Sequence, residues 1–119
     1  TQAYSWVTNP SEASNGLGML YLDGVGRSTQ IGDFSAFFIG VSIFCLLGSI
    51  FKNTSFLFSA VIILGSAAIM RIVAWQVYNA DFATTFIIVE LITTIMILAS
   101  IVLFKKKENV IENVETADD

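Results

Sequence analysis

Three long runs of apolar residues, separated by short polar stretches, fill most of the chain after its first thirty residues. They cover residues 34–51, 56–78 and 82–104. Each is long enough to cross the hydrocarbon core of a bilayer as a helix, which takes about 20 apolar residues. Because unpaired backbone groups are costly in hydrocarbon, each run is predicted to be a helix rather than an open strand.

The polar connections between the runs are short. Residues 52–55 join the first run to the second, and residues 79–81 join the second to the third. Helices joined so closely must be antiparallel neighbours. Asn53-Thr54-Ser55 matches a glycosylation acceptor pattern, but against the bilayer it is predicted to be a turn with a helix cap. The predicted fold is therefore all-α, a multi-pass transmembrane helical bundle with three spans in residues 34–104.

Composition supports this class. Of 119 residues, 55% are hydrophobic and 13% are charged, and the mean hydropathy is +0.73. These values are typical of integral membrane proteins. The net charge is -4, and five of the ten acidic residues are concentrated in the tail after Phe104, which argues against a nucleic-acid partner. The predicted partners are membrane lipids and other integral membrane subunits.

Lysine and arginine placement predicts the orientation. Lys52 and the cluster at residues 105–107 fall on one side of the membrane, whereas Arg27 falls on the other. The positive-inside rule then predicts that residues 1–33 lie outside the cytoplasm and that residues 105–119 form a cytoplasmic charged tail. Asp33, just before the first span, is predicted to be its N-cap.

The chain starts at Thr1 rather than at a methionine. Either a cleaved signal peptide or a fourth membrane helix is expected before it. The lysine asymmetry agrees with both and does not choose between them.

Arg71 and Glu90 are the two charges inside the second and third runs. Arg71 lies seven residues before Tyr78, and Glu90 lies eight residues after Phe82, so both are roughly 10–12 Å below the same turn. An unpaired charge at that depth costs about 2.5–3.5 kcal/mol on insertion scales. The two residues are therefore predicted to form a buried ion pair.

Three interpretations of this pair remain open. It can be a structural clip that fixes the register of two helices, since breaking a buried pair is costly. It can be a polar site that binds a headgroup, an ion or a partner's side chain. Arg71 can instead reach the interface by snorkelling and leave Glu90 protonated.

Residues near the pair carry the remaining site predictions. Trp75 and Tyr78 lie on or near the face of Arg71 and are expected in an interfacial aromatic belt rather than in a ligand cage. Thr93 and Thr94 follow Glu90 by about one turn, and their hydroxyls can bond across a helix interface.

Small residues predict where helices approach closely. They are Ala36 and Gly40 in the first run and Gly65 and Ala68 in the second. Cys45 lies among apolar residues and is interpreted as a packing residue, since a single cysteine cannot form an internal disulfide.

Several kinds of chemistry lack their usual residues. The chain has no histidine, which is the commonest transition-metal ligand and general base. It also has no cysteine cluster, no glycine-rich phosphate loop and no nucleophile beside a recognisable base. The prediction is a protein without a metal or cofactor and without enzymatic activity.

Motif order gives one family resemblance. Trp6-x-x-x-Pro10 is followed by Leu22-Asp23, a helix with Gly40 and Gly48, and then Arg71 and Glu90 in consecutive helices. This order resembles the domain-of-unknown-function 4345 family, small bacterial membrane proteins of four helices. The chain departs from the family at Ser35, where members often carry a basic residue, and at Met70, where they carry glycine. The resemblance implies a location in the bacterial inner (cytoplasmic) membrane, a membrane helix before Trp6 and no established activity.

Two functional classes agree with these observations. The first is a non-catalytic accessory or structural subunit of a larger membrane protein complex, because three short helices enclose little volume and expose much apolar surface. The second is a stand-alone or oligomeric carrier or binding protein for a small hydrophobic or anionic molecule at Arg71 and Glu90. The first is preferred.

Overall fold

The structure, a computed structural model, describes residues 1–115, with side chains as far as residue 107. Within these residues the chain is all-α, as predicted, and contains no strand. Its five helices are α1 (Gln2–Thr8), α2 (Pro10–Gly16), α3 (Gly24–Ile50), α4 (Thr54–Tyr78) and α5 (Thr84–Glu115).

The prediction of three spanning helices is confirmed. Gly24–Ile50, Thr54–Tyr78 and Thr84–Lys107 are 27, 25 and 24 residues long and are apolar enough to cross a membrane. Most of their large aliphatic side chains are exposed. A helix that is apolar on every face is suited to lipid or to contact with other apolar helices.

The chain divides into two compact units, Thr1–Ile43 and Phe44–Asp119. In the first unit, α1 and α2 form a short pair. Asn9 caps α2 through its side chain, and Pro10 occupies the first turn, where a missing N–H costs nothing. Trp6 of α1 is fully buried and stacks on Phe34 of α3, with ring centroids 5.0 Å apart.

The first long helix begins ten residues before its predicted start. It starts at Gly24, whose φ of +57° suits glycine, and Asp33 lies inside the helix. The predictions of a start at residue 34 and of an N-cap at Asp33 are therefore wrong. The polarity of residues 27–33 was misleading as a signal of where the helix starts. These residues are too polar for a predicted membrane span, but they are compatible with a helix.

The connection between α3 and α4 matches the predicted turn. Lys52 adopts a left-handed conformation with φ 50°, and the amide of Asn53 donates to the carbonyl of Gly48 at 3.1 Å. This is the Schellman geometry that ends many helices. The Asn53 side chain then accepts from the Ser55 amide at 2.9 Å, so the predicted cap at the start of α4 is confirmed.

The turn between α4 and α5 also follows a left-handed residue. Asn79 has φ 52°, and the amide of Ala80 donates to the Ala74 carbonyl at 3.1 Å. Asparagine tolerates this conformation better than most residues. α5 begins at Thr84, two residues after its predicted start at residue 82.

Helices α4 and α5 pack against each other, and the buried positions of the two helices are here called the seam. On α4 these positions are Leu57, Ala60, Leu64 and Ala68, and on α5 they are Ile87, Glu90, Ile97 and Ile101. Neighbouring positions are three, four or seven residues apart, which places them along one face of each helix.

Helix packing at glycine occurs at a position that the sequence analysis did not select. A Cβ on Gly48 would lie 2.5 Å from Leu57 Cδ2, so α3 and α4 approach closely there. At Gly40 and Gly65 no atom lies within 4 Å of the place where a Cβ would stand, and Ala36 is exposed. Within the described residues these three positions are not close contacts, whereas Ala68 is buried as predicted.

The predicted tail begins as a helix. α5 continues through residues 105–115 without a break at the three lysines, so the boundary at residue 105 is not an end of secondary structure. Lysine has high helix propensity and need not end a helix. Residues 116–119 of the predicted tail lie outside the described residues.

Candidate functional site

Arg71 of α4 pairs with Glu90 of the seam, as predicted. Arg71 Nε donates a hydrogen bond to Glu90 Oε1 at 2.9 Å. The two side chains are 33% and 10% exposed. A bond of this length between ionised groups is stronger than a neutral hydrogen bond, and it joins residues 19 apart in the chain.

Aromatic rings border the pair on both helices. The guanidinium carbon of Arg71 lies 4.9 Å from the centroid of the Phe86 ring, one turn before Glu90 on α5. Arginine stacks favourably on such a ring face. One turn after Arg71 on α4, Trp75 contacts Phe82 edge-on, with centroids 5.0 Å apart. The polar contact is thus bordered by aromatic groups on the side of the Asn79–Asp81 turn.

Only one of the two carboxylate oxygens of Glu90 has a hydrogen bond. Glu90 Oε2 is buried and has no hydrogen-bond partner among the described residues. Arg71 therefore binds one oxygen of Glu90 through Nε and does not make the two-bond fork that arginine often forms with a carboxylate. A buried, unpaired acceptor is costly in a protein interior and more so in hydrocarbon.

The two threonines after Glu90 behave differently. Thr93 Oγ1 donates to the carbonyl of Val89 on its own helix at 2.7 Å, so it does not bond across to α4. Thr94 Oγ1 is buried and has no partner among the described residues. It lies one turn after Glu90 at the seam spacing. Of the two, only Thr94 has a hydroxyl without a hydrogen-bond partner among the described residues.

Trp75 and Tyr78 contribute exposed aromatic surface near the pair. Both are exposed, and Tyr78 is the last residue of α4. An aromatic belt at the interface remains a prediction for them, because the structure contains no membrane.

A second polar cluster, in the first unit, was not predicted. Gln30 is buried on α3, accepts from the Leu22 amide and donates to the Leu20 carbonyl, both at 3.1 Å. Arg27 donates to the Leu22 carbonyl at 2.9 Å and pairs with Asp23. The sequence signal for this cluster was a glutamine, Gln30, three residues after Arg27 near the start of α3. Its partners are backbone groups, which a pattern of side chains does not reveal.

Among the described residues no three acidic or cysteine side chains lie close enough together to hold a metal ion. The expectations of no cofactor and no catalysis stay predictions.

Comparison with known proteins adds no relative. The chain matches no protein-family model, no curated protein and no solved structure. The resemblance to the domain-of-unknown-function 4345 family, with its implied helix before Trp6, stays a prediction.

Proposed function

We propose that this protein is a non-catalytic accessory or structural subunit of a larger complex in a bacterial inner membrane, with its carboxyl terminus in the cytoplasm. One observation carries the proposal. In the most apolar 18-residue window of each long helix, 6% of the residues of α3 are buried, against 22% in α4 and in α5. A long apolar helix with so few buried residues offers surface to another helix.

The composition of α3 suits such a neighbour. Membrane helices associate through close packing at small residues, because lipid tails are as apolar as aliphatic side chains. Ala36 is exposed, and Gly40 has no atom within 4 Å of the place where a Cβ would stand. A partner helix would find a shallow face at these two residues, one turn apart.

The proposed orientation rests on charge. Lys52 and Lys105–Lys107 are exposed and lie at the same end of α4 and α5. The positive-inside rule assigns that end to the cytoplasm.

The subunit function can be tested with a variant that blocks the face without disturbing the chain's own fold. Gly40→Leu adds bulk where the chain has open space, so the protein should fold normally. Ser42→Leu is the matched control, since it adds similar bulk at an exposed position about 160° around the same helix. Each tagged protein is purified in mild detergent from its native membrane, and its co-purifying proteins are quantified by mass spectrometry.

We expect a stoichiometric integral membrane protein with the wild type and with Ser42→Leu. With Gly40→Leu its recovery should fall about tenfold, which corresponds to about 1.4 kcal/mol. Elution of the wild-type chain alone would exclude the subunit function. Equal recovery of the partner with Gly40→Leu would exclude the Ala36–Gly40 face as its binding surface.

The alternative of a carrier that acts alone stays a prediction. It is favoured by the unpaired atoms near Arg71 and Glu90 rather than by the exposed surface of α3.

A further inference from the structure

The guanidinium of Arg71 is bonded on one side only. Its Nε donates to Glu90 Oε1, and among the described residues its terminal nitrogens have no hydrogen-bond partner. Since Glu90 Oε2 does not bond to them either, both terminal nitrogens remain available together. Paired donors of this kind match the oxygens of a carboxylate or a phosphate.

Two contacts hold the guanidinium of Arg71 against α5. The Phe86 ring lies 4.9 Å from the guanidinium carbon, and the bond to Glu90 holds Nε against α5. The side chain remains one-third exposed. Its terminal nitrogens are therefore the part of the group that is left for an external acceptor.

The depth of Arg71 identifies the class of acceptor. Arg71 precedes the end of α4 by seven residues, or roughly 10 Å. Hydrocarbon contains no water to satisfy the donors, but an arginine near a helix end can extend toward the headgroups. The anionic acceptor that a bilayer itself supplies at the headgroup level next to that helix end is the phosphate of a phospholipid.

We infer that Arg71 binds a phospholipid phosphate through its terminal nitrogens, in the leaflet next to the Asn79–Asp81 turn, while its Nε stays bonded to Glu90. Exposed Trp75 and Tyr78 lie one and two turns toward the end of α4 and provide aromatic surface for the headgroup region. This site does not depend on the proposed subunit function. Free phosphate shares the recognised chemistry but lacks the acyl chains.

Glu90 makes the inference distinguishable from a purely structural pair. Its carboxylate competes with the phosphate for the positive charge of Arg71, so removing the charge of Glu90 should strengthen lipid binding. Removing the guanidinium of Arg71 should weaken it. A pair that serves only as a structural clip predicts no lipid effect of either change.

The experiment is a titration of the purified chain in detergent, followed by native mass spectrometry. Phosphatidylglycerol, diacylglycerol and inorganic phosphate are the three probes. The variants are Glu90→Gln, Arg71→Lys and Arg71→Gln, with Lys52→Gln as the control for loss of a positive charge elsewhere. Circular dichroism checks the helix content of each, and the double variant Arg71→Gln with Glu90→Gln replaces any single variant that does not fold.

We expect phosphatidylglycerol to bind in preference to diacylglycerol and inorganic phosphate. Affinity should fall about tenfold in Arg71→Lys, because the ammonium of lysine is a point charge and lacks the paired donors of arginine. It should fall further in Arg71→Gln, which removes the positive charge as well. It should rise in Glu90→Gln and stay unchanged in Lys52→Gln. Equal affinity in wild type and Arg71→Gln, or in wild type and the double variant, would overturn the inference. Equal binding of diacylglycerol or of inorganic phosphate would overturn the assignment to a lipid phosphate.

Discussion

Arg27 and Arg71 make similar contacts in two different regions of the molecule. Each pairs with a carboxylate, and each lies over an aromatic ring, at 4.8 and 4.9 Å from the ring centroid. The side chains of Arg27 and Asp23 are 45% and 92% exposed, whereas those of Arg71 and Glu90 are 33% and 10% exposed. Similar chemistry is thus used once at an exposed surface and once at a buried helix interface.

The difference lies in what each pair connects. Asp23 is four residues from Arg27, so that pair only supports the start of α3. Glu90 is nineteen residues from Arg71, so that pair joins two long helices at one register. Exposed local pairs contribute about 0–1 kcal/mol, whereas breaking a buried pair leaves an uncompensated charge. Burial and sequence separation, rather than the residue types, decide how much each arginine stabilises the fold.

The largest effect is expected from removing the buried arginine. Arg71→Ala leaves the carboxylate of Glu90 buried and unpaired, and should lower the free energy of unfolding by about 2–3 kcal/mol. The value is below that of a completely buried pair because Arg71 is one-third exposed. Arg27→Ala, the matched variant in the other region, should cost about 1 kcal/mol or less. Thermal unfolding of the full chain in detergent, followed by circular dichroism, measures both.

Replacing both buried charges separates the cost of an unpaired charge from the cost of lost packing. The double variant Arg71→Met with Glu90→Leu leaves no charge in the seam and should recover most of the stability lost in Arg71→Ala. If Arg71→Ala and Arg27→Ala lowered the free energy of unfolding equally, the buried pair would not stabilise the fold more than the exposed pair does.

An intermediate effect is expected at Gln30, which we consider the main anchor of the Leu20–Asp23 segment. Gln30→Leu keeps a similar volume but removes two hydrogen bonds and leaves the Leu22 amide without its partner. A lost bond of this kind costs about 1–3 kcal/mol. Hydrogen exchange at the Leu22 amide should become about tenfold faster or more. Unchanged exchange would show that Gln30 does not hold this segment.

The smallest effect is expected from the exposed pair itself. Asp23→Asn removes its charge while keeping its shape, and should change stability by about 0.5 kcal/mol or less. The change should shrink further at 1 M salt, where charges are screened within about 3 Å. A loss comparable to that of Arg71→Ala, independent of salt, would contradict the assignment of a minor role to Asp23.

The predictions that succeeded concern patterns confined to one stretch of chain. Charge-free or nearly charge-free runs predicted three helices, and Asn53-Thr54-Ser55 predicted a cap that the structure contains. The pairing of Arg71 with Glu90 was predictable because the two residues lie at matching depth below the short connection between their helices. Each of these depends on local composition or on a short loop.

The predictions that failed concern helix ends and contacts between distant side chains or with the backbone. Hydropathy predicts the start of α3 at residue 34 because polar residues precede it, yet a helix can continue through them. Gly40 and Gly65 were selected by spacing, but the close approach within the chain is at Gly48, opposite Leu57, and close packing of another helix at Gly40 and Gly65 stays a prediction. The burial of Trp6 and the role of Gln30 were also missed. Small-residue spacing is common in membrane helices, so it does not identify which glycine faces a neighbour.

The amino-acid sequence by itself determined the all-α class, the number of helices able to span a membrane, the short turns and the presence of two opposite charges at matching depth. These follow from hydropathy and helix geometry along single segments. Only the tertiary structure decided that Arg71 binds one oxygen of Glu90 and keeps its terminal nitrogens available, that Thr94 rather than Thr93 leaves its hydroxyl unbonded, and that α3 is the least buried of the three long helices. Those features depend on side-chain rotation and on which faces meet, and a one-dimensional pattern does not specify either.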